Sequence, residues 1–114
     1  MSVEEEKEVL EKLVQKFKKR IDEDDSLKED IKDFERDIQV DFDSGNNYNM
    51  SLEDAEVSEI QEGPIEDSDI TIATDVGTLD DLLEGEVGAM QAYASNKIKV
   101  DASLTDMLKF KKLL

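Results

Sequence analysis

The chain has 114 residues, enough for one domain with a single core and too few for two. Its 31 acids against 14 bases give a net charge of −17, which excludes a binder of nucleic-acid phosphates and disfavours tight docking on an anionic membrane. The absence of cysteine and histidine excludes disulfides, thiol chemistry, most nucleophile–base pairs and ordinary zinc sites.

Charged residues make up 39% of the chain and apolar ones 38%, a balance on the margin of disorder, but the apolar residues are regularly spaced. Leu10, Leu13, Val14, Phe17 and Ile21 recur at three and four residues, predicting a helix over Val3–Arg20 with Ser2 and Glu5 as its capping box. Asp22–Asp25 reads as a polar loop. Ser26 and Glu29 form a second capping box for a short helix with Leu27, Ile31 and Phe34 facing inward. The period then becomes two. Ile38, Val40 and Phe42 alternate with polar residues, Ser44–Asn47 is a turn, and Tyr48, Met50 and Leu52 alternate again, predicting a hairpin with one wet face.

A third strand over Ala55–Gln61 is expected to carry a bulge or lie at an edge, because Val57 and Ile60 are three apart. Gly63-Pro64 breaks the chain before a fourth strand at Ile70–Thr74. Thr78 is the expected cap of a helix that stops at Gly85. A helical turn over Ala89–Ala94, a short strand over Lys97–Val100 with its lysines outward, and a terminal helix from Leu104 complete the chain. No repeat or flexible linker interrupts residues 1–114, so they are expected to form one domain.

Metal chemistry finds little footing. Asp41-Phe42-Asp43 suggests a calcium loop, but the required oxygen ligand, glycine and glutamate would fall on Gly45, Asn46 and Leu52. Asp80-Asp81 and Asp22–Asp25 are contiguous acids without ligand spacing. No metal or cofactor is expected. What remains is apolar: Met90 and Tyr93 on one side of a helical turn, Ile98 and Val100 on one strand face, and Leu104, Met107 and Leu108 as a stripe on the last helix, with Leu114 beyond.

The order of these elements resembles the sterol carrier protein type 2 family. The matching residues are Asp69-Ile70-Thr71-Ile72, Leu82-Leu83-Glu84-Gly85, Met90 with Tyr93, Lys97-Ile98-Lys99-Val100, and Leu104 with Met107 and Leu108. The resemblance implies an α/β (α+β) fold: a five-stranded, mostly antiparallel sheet covered by helices, with a hydrophobic tunnel between them. It implies a non-catalytic carrier, and Leu82, Leu83, Met90, Tyr93, Ile98, Val100, Leu104, Met107 and Leu108 as residues that touch a lipid, acyl or isoprenoid chain. Asn96 and Ala102-Ser103 stand at turns where the family usually has glycine. Asn tolerates a left-handed backbone.

The competing expectation is a structural or interaction module with a filled core and an acidic face. The acids concentrate early: residues 1–69 hold 24 acids and 9 bases, residues 70–114 hold 7 and 5. Such a face fits either adaptation to a salt-rich cytoplasm or a basic protein partner. Met1–Glu6 offers no signal peptide, and no apolar run reaches the roughly 20 residues of a membrane span. A cytoplasmic protein with at most transient membrane contact is expected.

Overall fold

The structure, a computed structural model, describes residues 3–113, and of 89, 90 and 113 the backbone alone. Ser2, expected in the first capping box, and Leu114 lie outside the described residues, as does the side chain of Met90.

Helix α1 (Val3–Glu23) buries the predicted stripe, extended backwards to Glu6 and Val9. It runs three residues beyond its expected end, so that Asp24 alone separates it from α2 (Asp25–Ile31). Asp24 explains both facts. Its N–H donates to the Arg20 carbonyl at 3.1 Å, closing α1, and its carboxylate accepts from the Leu27 N–H at 3.1 Å, opening α2. An aspartate in extended conformation satisfies a free helix-end amide as well as the expected Ser26 would.

Strands β1 (Arg36–Phe42) and β2 (Asn47–Glu53) form the predicted hairpin, with Gly45 at φ 97° in its turn. The expected third strand is split into β3 (Glu56–Val57) and β4 (Gln61–Glu62), both paired antiparallel to β2. At the break, Ser58 donates its N–H to the Ser51 carbonyl and accepts the Ser51 N–H on its hydroxyl, each at 2.8 Å. A side chain thus replaces a ladder partner, and the strand cannot continue.

Strand β5 (Ile70–Thr74) lies parallel to β1, and β6 (Lys99–Asp101) antiparallel to β5. The order is β3-β2-β1-β5-β6, with β4 also on the outer side of β2, so the sheet is five strands wide with one parallel pair. Residues paired across it share a face: Tyr48, Val40, Ile72 and Val100 form one row on the core side. The opposite row, Asn49, Gln39 and Thr71, is polar.

Residues 63–69 connect β4 to β5 across that polar face. Seven extended residues reach at most about 25 Å, and three inter-strand steps need about 14 Å. Asn49 donates to the Gly63 carbonyl at 2.9 Å and the Ile65 N–H donates to the Gln39 side chain at 3.0 Å, pinning the crossing to the strands below.

Helices α3 (Val76–Leu83), α4 (Ala89–Ala94) and α5 (Leu104–Leu113) complete the chain. Asp75, not Thr78, caps α3: its carboxylate accepts the Thr78 N–H at 2.7 Å, and Thr78 sits one turn inside. The core joins Leu10, Leu13 and Phe17 of α1, Ile31 of α2, Leu79 and Leu82 of α3, and Phe110 of α5 with Ile38, Val40, Met50, Ile70 and Ile72 of the sheet. No helix among the described residues is long and apolar enough to cross a membrane.

Candidate functional site

The last third of the chain is positioned by three turns. Gly85, at φ 81°, ends α3: its N–H bonds the Leu82 carbonyl at 3.3 Å and the Glu86 N–H bonds Asp81 at 2.9 Å. Asn96, at φ 60°, ends α4 in the same way, with the Asn96 N–H on Tyr93 at 3.1 Å and the Lys97 N–H on Ala92 at 3.0 Å. Both are paired left-handed caps, and Asn96 takes the conformation that glycine takes at Gly85. The Thr74 hydroxyl then donates to the Lys97 carbonyl at 3.1 Å, which seats Ile98 in the core and β6 beside β5. Ser103 opens α5 by accepting the Asp106 N–H on its hydroxyl at 3.2 Å, so the Ala102-Ser103 turn needs no glycine.

Helix α5 is rotated relative to the sequence expectation. The predicted inward stripe was Leu104, Met107 and Leu108. Instead Asp106 and Phe110 face inward, Met107 is half-buried, and Leu104 and Leu108 are 73% and 56% exposed. Two contacts fix this rotation. The buried Asp106 carboxylate pairs with Arg36 at 3.0 Å, and the Phe110 ring meets Phe17 of α1 edge-on with centroids 5.5 Å apart. Burying an unpaired carboxylate is expensive, so Arg36, seventy residues earlier, settles which face turns in.

The predicted site residues therefore separate into layers. Leu82 and Ile98 are buried in the core, and Leu83 and Val100 are half-buried against it. Met107 lies at the boundary. Tyr93, 45% exposed, stands outside with Leu104 and Leu108. Several open grooves border α1, two of which flank its middle and last turns. One, of about 360 Å³, lies between Val14 and Lys18 and the Val57–Ile60 segment. The other, of about 640 Å³, follows Lys12, Lys16 and Arg20 to Leu83.

One polar cluster escaped the sequence reading. Glu6 is 0% exposed, and its carboxylate accepts from the Ser44 hydroxyl, from Asn46 Nδ2 at 2.8 Å and from the Tyr48 hydroxyl at 2.8 Å. Burial alone would raise the carboxyl, but these three donors outweigh it and hold it below the usual carboxylate range. Tyr48 is pushed up to about 12, by burial first and then by its bond to Glu6. The cluster ties the start of α1 to the β1–β2 turn. Glu6 lies three and four residues before Val9 and Leu10, on the buried stripe, and that spacing is the signal by which it could have been found.

A sheet with its apolar face under five helices and its polar face crossed by a short connection defines the sterol-carrier type of α+β domain. The chain belongs to the SCP-2 sterol transfer family, whose model matches residues 14–114. No curated protein matches the sequence. Among solved structures, it is similar to sterol carrier protein 2 like 2 from Aedes aegypti: 14% identity over 93% of this chain and 96% of that one, TM-score 0.63. The palmitated form of SCP2L2 from the same organism, solved in solution, gives 16% identity, coverage of 99% and 94%, and a TM-score of 0.65. The stereoselective inverting sec-alkylsulfatase Pisa1 from Pseudomonas sp. also matches, at 17% identity and TM-score 0.60 over 70% of this chain. This chain spans only 13% of that enzyme's length.

Proposed function

We propose that the protein is a non-catalytic carrier that takes a fatty acyl or isoprenoid chain between the sheet and helices α3–α5. Membership of the SCP-2 sterol transfer family over residues 14–114 carries this reading. The near full-length likeness to a protein solved in palmitated form favours an acyl chain. Leu82, Ile98, Val100 and Met107 form the inner wall in this reading, and α5 is the element that yields. It is held by the Asp106–Arg36 pair, the Phe110–Phe17 contact and the two hydrogen bonds from the Arg20 guanidinium to the Lys112 carbonyl. Transfer of a lipid tail from water is worth about 0.8 kcal/mol per buried CH₂, so affinity should grow with chain length and depend little on the head group.

Titration with a fluorescent fatty acyl probe tests the reading. Binding should be micromolar or tighter, with longer chains competing better. Met107→Trp should occupy the space the chain needs and weaken probe binding at least about tenfold, or roughly 1.4 kcal/mol, while the unliganded fold persists. If no long-chain amphiphile binds, even in molar salt, the carrier reading fails.

A second reading, an interaction module with a filled core and an acidic partner-binding face, is favoured by one observation: Leu82 and Ile98 are already packed into the core. Native mass spectrometry of the purified protein separates the two. A co-purified lipid supports the carrier, and a lipid-free protein that captures basic polypeptides supports the module.

A further inference from the structure

The rotation of α5 leaves Leu104 and Leu108 in solvent, one turn apart on the same side of the helix. Lys111 follows at the next turn of that side, and Lys109 and Lys112 flank it. Exposed leucines in pairs are unusual on a chain this polar, and here they coincide with one of its two cation-rich stretches, the other being residues 12–20 of α1 with five bases and no acid. Residues 97–114 hold five lysines against Asp101 and Asp106, net +3, while residues 1–96 hold 29 acids and 9 bases, net −20. Asp106 is already neutralised by Arg36. Lys109 donates to the Asp30 backbone carbonyl and lies over the Phe34 ring, 5.0 Å from its centroid, while Lys112 pairs with the Asp30 carboxylate; both bonds are exposed, at 3.2 Å, and the carboxylate pair exchanges readily for another anion.

We propose that the outer face of α5, Leu104 and Leu108 flanked by Lys109, Lys111 and Lys112, is a docking surface for an anionic phospholipid bilayer. The proposal builds on the carrier reading, because a carrier of acyl chains must meet the membrane that holds them. The net charge of the whole molecule does not forbid it. The molecule measures 37 × 29 × 24 Å, whereas charges farther than about 8–10 Å from the lipid are largely screened at physiological salt. Only the nearest element then decides, and α5 is cationic. At longer range the acidic remainder is repelled, so the molecule approaches with α5 foremost. The leucines enter the interface while the lysine stems lie along it with their ammonium groups among the phosphates.

The test is co-sedimentation of the full chain with vesicles of phosphatidylglycerol and phosphatidylcholine in equal amounts, beside vesicles of phosphatidylcholine alone. Binding to the mixed vesicles at about 0.15 M salt, weakened by molar salt and much weaker on phosphatidylcholine, is expected. The double variant Leu104→Ser with Leu108→Ser should lower the partition at least about tenfold and keep the parent's thermal midpoint, since both side chains are already exposed. Lys109→Gln with Lys111→Gln should remove the preference for the anionic vesicles. No binding by the parent, equal binding to both vesicles, or undiminished binding by the leucine variant overturns the proposal. So does a parent dimer, seen by sedimentation velocity without vesicles, that the leucine variant dissolves, because the face would then belong to a second copy. Acyl-probe titration of the parent without vesicles keeps the two readings apart. Probe binding without vesicle binding sinks the docking surface alone, and vesicle binding without probe binding sinks the carrier alone.

Discussion

Glu6 shares the buried stripe of α1 with Val9, Leu10 and Leu13, so its carboxylate must find partners inside the protein. It finds them on a hairpin some forty residues away, where Ser44, Asn46 and Tyr48 supply three donors. Its folded value lies below that of an unfolded glutamate, about 4.3. The stabilisation is therefore present above that pH and lost as pH falls through the folded value. Tyr48 works in the opposite direction. Its value rises from about 10 to about 12, so its contribution is full below the first and lost as pH rises through the second. Glu6→Gln should cost about 1.5–3 kcal/mol at neutral pH, the range for a hydrogen bond to a charged group. The gap to the parent should narrow in acid, as followed by urea midpoints. A gap that stays constant with pH would assign the acid response to other carboxylates. The stripe position of Glu6 was legible in the sequence. Its donors were not, because no local pattern joins a first helical turn to a distant hairpin.

At the scale of elements, what local periodicity specifies was legible: α1, the hairpin, β5, and the order α3, α4, β6, α5. Departures arose where a side chain took over a backbone task. Asp24 and Asp75 cap helices in place of the expected Ser26 and Thr78, and the Ser58 hydroxyl splits the third strand. The candidate site was legible as a set of apolar residues but not as a surface. A helical stripe marks an apolar side without saying what lies opposite, and the Arg36–Asp106 pair turned α5 so that Leu104 and Leu108 face out. The cap at Asn96 permits a sharper test. A left-handed backbone costs an ordinary L-residue roughly 1–2 kcal/mol, asparagine less, and glycine almost nothing. Thermal melts should therefore show Asn96→Gly at or above the parent's midpoint. Asn96→Val should lie about 1–2 kcal/mol below the parent. Equal midpoints for all three would mean that α4 ends without help from this position.

On the whole molecule, the −17 charge acts through distance and salt. At about 0.01 M salt the screening length of roughly 30 Å matches the molecule's own 37 Å extent, so nearly every acid repels every other. At about 1 M it falls to roughly 3 Å, and only neighbours interact. The thermal midpoint should rise between the two conditions, as scanning calorimetry would record. A flat response would point to a specific basic partner as the reason for the acidity.

Screening also takes away what holds separate copies apart, and the margins of the sheet must then keep them from joining. One margin is built from β3 and β4, two residues each, with Ser58–Ile60 unladdered between them. The other is β6, three residues long, with Lys99 and Asp101 in solvent. A neighbour's strand needs a longer, flatter run of free N–H and C=O groups to add itself on. The hydroxyl of Ser58 thus does more than end a strand early. Among the described residues it leaves that margin without the long free strand on which another copy could add, at ionic strengths where charge alone no longer keeps copies apart.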